Sequence, residues 1–85
     1  MDFEFSKHAE EQILLRDIKQ NDVLSTINNP DQIVKDENED IRVYQSLINE
    51  NSQIFLLRVF VNIYKSPKLI ITVYKTTKIS KYYEN

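Results

Sequence analysis

The chain predicts an α+β domain in which two N-terminal helices pack on one face of a four-stranded antiparallel β-sheet. Three observations carry this. Apolar residues recur at helical spacing before Pro30, and β-branched and aromatic residues alternate after it. The connections between the later apolar runs are short, which suits an antiparallel meander. No repeat, linker or low-complexity stretch interrupts the 85 residues, so residues 1–85 read as a single domain.

Ser6 is a helix N-cap candidate, and Ala9–Arg16 reads as the first helix. Asn21 or Asp22 caps a second short helix through about Ile27. Asn28, Asn29 and Pro30 stop it, because the residue before proline disfavours helical geometry. Four strands follow at Gln32–Lys35, Ile41–Ile48, Gln53–Ile63 and Leu69–Lys75, with turns at DENED, NENS and YKSPK. Glycine is absent, so turns must use Asn, Asp, Pro and Ser. The same absence excludes glycine-rich phosphate loops of the nucleotide-binding kinds.

Strand parity divides each main strand into two sets. One set is nearly all apolar and is expected to carry the helices: Ile41, Val43, Gln45, Leu47; Phe55, Leu57, Val59, Val61; Leu69, Ile71, Val73. The other mixes polar groups with aliphatics and contains Arg42, Tyr44, Arg58, Phe60, Thr72 and Tyr74.

Charge is split along the chain. Residues 1–50 hold 12 acids and 5 bases, whereas residues 51–83 hold no acid and six bases. The later lysines are interleaved with tyrosine and threonine in TVYKTTKISKYY. An acid-free basic half can hold a polyanion despite the net charge of −2. There is no cysteine, so disulfides and thiolate metal sites are ruled out, and one histidine makes a zinc site a poor fit. No metal and no cofactor is expected. The charged start MDFEFSKHAEE lacks the apolar stretch of a signal peptide, and no apolar run reaches membrane-spanning length. The expected setting is cytoplasmic, with no membrane partner.

His8 is the one side chain whose ordinary pKa lies near neutrality, so it can serve as a general acid or base. The plain alternative is a helix-start histidine bonded to a neighbouring group. His8, Gln12 and Arg16 form one stripe at i, i+4, i+8. Arg58 sits inside FLLRVFV, where a charge must be paired or face solvent. It can grip a phosphate in bidentate fashion, pair with an acid of the first half, or cover Leu56 and Phe60 with its stem. Tyr44 and Tyr74 can stack bases or simply fill a sheet face. Lys75, Lys78, Lys81, Tyr82 and Tyr83 can track a phosphate backbone or protect a sheet edge. DENED lacks the ligand spacing of a calcium loop and reads as a solvated hairpin tip.

FSKHAEEQILLRDI, NDVLSTINNPDQIV, RVYQ, FLLRVFV and TVYKTTKISKYY occur in an order and spacing that resemble a small family of uncharacterised bacterial domains. That group is similar in layout to the RelE and ParE toxin superfamily, in particular to BrnT-type ribonuclease toxins. The resemblance implies a metal-independent endoribonuclease paired with an antitoxin, and it covers nearly the whole chain. Catalytic roles would then fall to His8, Arg16, Tyr44 and Arg58, and RNA contacts to Arg42, Thr72, Tyr74, Lys75, Lys78, Lys81 and Tyr82. Such toxins are usually basic, and this chain departs from them with an isoelectric point near 5.3. The rival expectation is a non-catalytic protein-interaction domain that keeps the fold, with partners or a second copy docking at an open sheet edge. A DNA-binding module fits less well, because NDVLSTINN is acidic and short for a recognition helix.

Overall fold

Ser6 stops the first extended segment and starts the first helix: its side-chain oxygen accepts from the Ala9 amide at 3.0 Å. In the computed structural model, which describes residues 2–84, the element order is β1 (Phe3–Phe5), α1 (Lys7–Leu15), α2 (Gln20–Asn28), β2 (Gln32–Lys35), β3 (Ile41–Glu50), β4 (Gln53–Asn62), β5 (Lys68–Thr76) and α3 (Ile79–Tyr82). α1 ends in a Schellman arrangement. The Ile18 amide donates to Ile13 O at 3.0 Å and the Asp17 amide to Leu14 O at 3.3 Å, with Asp17 at φ 52°. Ile13 and Ile18 both enter the core at this stop, which leaves Arg16 at the end of the helix.

The sheet corrects the expected architecture. It has five strands in the order β1-β5-β4-β3-β2, and β1 lies parallel to β5 through Phe3–Lys68, Glu4–Leu69 and Phe5–Ile70. The four strands from β2 to β5 are antiparallel neighbours. The α+β class stands, but the sheet is mixed rather than wholly antiparallel, and the described residues form three helices rather than two. FEF is too short to show a period of two, and only the distant Lys68–Ile70 edge gives it a partner. The four-residue α3 is likewise below the length at which periodicity is legible.

The register also corrects the two faces. Gln45 pairs with Arg58, and Tyr44 with Val59. The helix-bearing face therefore combines Tyr44 with Leu57, Val59, Val61 and Val73, against Ala9, Ile13, Val23 and Ile27. β3 thus sits with opposite phase to the sequence grouping. In β5 a register shift opposite Phe60 and Val61 brings Ile70, not Ile71, onto that face. The β3–β4 hairpin turns at Asn51 and Ser52 with φ 54° and 66°, the type I′ pattern reached without glycine. At the β2–β3 tip, the Asn38 amide donates to Asp36 Oδ2 at 3.2 Å and the Asp40 amide to Asn38 Oδ1 at 2.9 Å, the solvated tip expected of DENED. No described helix is long and apolar enough to cross a membrane.

Candidate anion-binding site

The register brings four polar side chains into one row across four strands. Gln32 pairs with Gln45, Gln45 with Arg58, and Arg58 with Tyr74. Cross-strand partners on one face lie close enough for side chains to join, and these do so in series. Gln45 Nε2 donates to Gln32 Oε1 at 2.8 Å. Arg58 Nε donates to Gln45 Oε1 at 2.9 Å, and Arg58 Nη1 donates to the Tyr74 hydroxyl at 2.8 Å. Gln45 has no solvent exposure and Arg58 only 9%.

Arg58 is thus a buried cation held by neutral groups. Among the described residues the ion pairs are Lys19–Glu50 and Lys75–Glu50, so none of the described acids pairs with Arg58. Three aromatic rings surround its guanidinium carbon: Tyr82 at 4.2 Å, Phe60 at 5.3 Å and Tyr74 at 5.8 Å from the ring centroids. Nη2 makes no hydrogen bond to the described residues, and among them no buried side-chain polar atom is left unsatisfied. That edge of the guanidinium is where an anion could bind.

Arg16 reaches the same place from the end of α1. Its guanidinium carbon is 5.8 Å from the Tyr74 ring centroid, and its Nε donates to Gln12 Oε1 at 2.6 Å. β1 pairs only with Lys68–Ile70, so among the described residues the outer edge of β5 beyond Ile70 has no strand partner. Tyr74 is shared by two guanidiniums. Burial raises its pKa, opposed by the hydrogen bond and charge of Arg58. Tyr82 moves the other way. The Tyr74 hydroxyl and the Lys81 ammonium beside it hold its pKa below the ordinary phenol value.

The other residues singled out from the sequence scatter. Tyr44 is buried on the helix-bearing face, edge-on to Phe3 at 5.8 Å, away from Arg58. Arg42 closes the β2–β3 tip by donating to Glu39 O at 2.7 Å. Lys75 lies on the helix-bearing side, bonded to Glu50 at 2.8 Å and over the Phe55 ring. His8 is exposed near the start of α1, eight residues and about 12 Å of helix rise before Arg16. Thr72 pairs with Phe60 on the Arg58 face. Lys78 is exposed at the start of α3, and Lys81 Nζ stands 5.3 Å from the Tyr82 ring centroid. Arg16, Arg58, Tyr74 and Tyr82 are the ones the fold brings together. Gln32 and Gln45 escaped sequence reasoning. The signal was present, because Gln45 is the lone polar residue in Ile41, Val43, Gln45, Leu47.

The fold and row define an α+β domain that holds on one sheet face an arginine with no carboxylate partner among the described residues. Residues 5–75 match the family described as a domain of unknown function (DUF4258), and the chain belongs to that family. No curated protein and no solved structure matches it. The matched span contains Arg16, Gln32, Gln45, Arg58 and Tyr74 and stops before α3.

Proposed function

We propose that this chain is a toxin-like, metal-independent endoribonuclease of a toxin–antitoxin pair, binding RNA phosphate at Arg58. The observation that supports it is the buried guanidinium, which has no carboxylate partner among the described residues. Burying a cation is costly unless an opposite charge completes it. A phosphodiester approaching the Nη2 edge would supply that charge, and the Arg16 guanidinium carbon lies 5.8 Å from the Tyr74 ring centroid. The layout likeness to RelE, ParE and BrnT-type toxins belongs to this proposal.

In the proposed reaction the RNA 2′-hydroxyl attacks the adjacent phosphorus, and the bond to the 5′ oxygen breaks. Arg58 and Arg16 offset the charge growing on the phosphoryl oxygens. The Tyr74 oxygen accepts from Arg58, and its own proton would pass to the leaving 5′ oxygen. Its raised pKa keeps that proton in place beforehand. Water takes the proton of the 2′-hydroxyl. His8 has no part in this scheme.

The test is cleavage of single-stranded RNA by the purified chain in EDTA. The expected products end in a 2′,3′-cyclic phosphate. Arg58→Lys and Tyr74→Phe should each slow cleavage by about 10²-fold or more, while His8→Ala leaves it unchanged. Cleavage indifferent to both of the first two substitutions sinks the mechanism. A second reading, a non-catalytic protein-interaction domain, draws on Leu14 and Leu15, adjacent on α1 and 82% and 78% exposed. It becomes the better account if no RNA binds even at low salt, where phosphate contacts are strongest.

A further inference from the structure

The face that holds Arg58 is not empty. Residues 78–84 lie across it. The Tyr82 ring covers the Arg58 guanidinium at 4.2 Å, and Tyr82 O accepts from Gln45 Nε2 at 3.2 Å. The Glu84 amide donates to Gln32 Oε1 at 3.0 Å, and Gln32 Nε2 donates back to Glu84 O. Each of these contacts is one that single-stranded RNA can replace. A base can stack on an arginine plane, and base edges and sugar hydroxyls offer the same donors and acceptors.

The segment is also weakly held. α3 is a single turn with no side-chain cap and no buried residue. One turn has no stability of its own. Its internal bonds are Tyr83 N to Ile79 O at 2.8 Å and Lys81 N to Lys78 O at 3.3 Å. The Arg58 row, by contrast, is built from long paired strands.

We infer that residues 78–84 form an autoinhibitory strap over Arg58, and that single-stranded RNA must displace it to bind. The inference rests on the reading of Arg58 as an RNA-phosphate site. Binding is weakened by the fraction of molecules whose strap is closed. Loosening the strap should tighten RNA binding while leaving the row intact.

Glu84→Pro does this without touching the sheet. It removes the donor to Gln32, and Tyr83 already has the extended backbone (φ −77°, ψ 125°) that suits a residue before proline. Glu84→Gln controls for the lost charge. The probe is a short single-stranded oligoribonucleotide made uncleavable by 2′-O-methylation, titrated at low salt. Amide exchange of Tyr83 is followed in the same samples. Relative to Glu84→Gln, Glu84→Pro should bind about fivefold more tightly, the effect of one lost hydrogen bond on a mostly closed strap. In the unmodified chain, adding RNA should speed Tyr83 exchange. Unchanged affinity in Glu84→Pro, or slower Tyr83 exchange with RNA, overturns the strap. In that case Arg58→Lys would still weaken binding, and the Arg58 reading would survive. Binding by none of the forms removes the Arg58 reading and the strap with it.

Discussion

Tyr74→Phe deletes one oxygen from the middle of the polar row and leaves its packing in place. The phenyl ring keeps its stack with Phe60 at 5.8 Å and its contacts with Arg58 and Arg16, both at 5.8 Å. What goes is the acceptor for Arg58 Nη1 at 2.8 Å. A hydrogen bond to a charged group contributes about 1.5–3 kcal/mol. Tyr74 is only half-buried, so water can partly replace the hydroxyl, and about 2 kcal/mol is the expected loss. For a domain of this size that lowers Tm by roughly 8–16 °C. Urea unfolding measures the loss directly. A double-mutant cycle with Arg58→Met isolates the pair and should give a coupling above about 1 kcal/mol. A loss below about 0.5 kcal/mol, or no coupling, would show that water already serves Nη1 and that Tyr74 does not organise Arg58.

Three further outcomes are expected. Ser52→Gly should stabilise the chain by about 0.5 kcal/mol in urea, because Ser52 holds φ 66° in a turn where glycine carries no Cβ strain. A loss of stability would contradict the type I′ reading. Glu50→Gln should destabilise at neutral pH but not in strong acid. Its carboxyl pKa is depressed, chiefly by the hydrogen bond from Lys75. A depressed carboxylate stabilises fully above its unfolded pKa, and the benefit fades as pH falls through the lower folded value. Unfolding midpoints of the two forms should therefore converge below the ordinary carboxylate range, and a constant gap would speak against the pair. Tyr82→Phe should remove a phenol that ionises before Tyr74 in an alkaline absorbance titration, because Tyr82 is lowered while Tyr74 is raised. Loss of a later step instead would contradict that order.

Local chemistry made much of the chain legible. Ser6 caps α1 through its own oxygen, Pro30 stands just past α2, and the turns fall where Asn, Asp, Ser and Pro cluster. The run of strands from Gln32 to Thr76 follows from β-branched and aromatic residues between those turns. Arg58 stood out because a charge inside FLLRVFV demands an explanation. Its partners could not be read. Leu56 and Leu57 are both fully buried, so β4 is covered on both faces and its alternation does not say which side the helices take. The alternation in the sequence therefore grouped Tyr44, not Gln45, with Arg58. A one-residue change of register exchanges them.

By itself the amino-acid order determined, to within a few residues, where α1, α2 and the strands β2 to β5 start and stop, because caps, prolines and side-chain alternation act within a few residues. It also determined that one arginine would have to be accommodated in an apolar strand. Only the tertiary structure decided what accommodates it. The β3–β4–β5 register chose Gln45 and Tyr74, the end of α1 delivered Arg16 to the Tyr74 ring, and the last residues folded back to place Tyr82 over the guanidinium. The same long-range pairing made β1 a parallel edge strand. Each of these depends on contacts between residues far apart in the chain, whose free energy is not expressed in any local pattern.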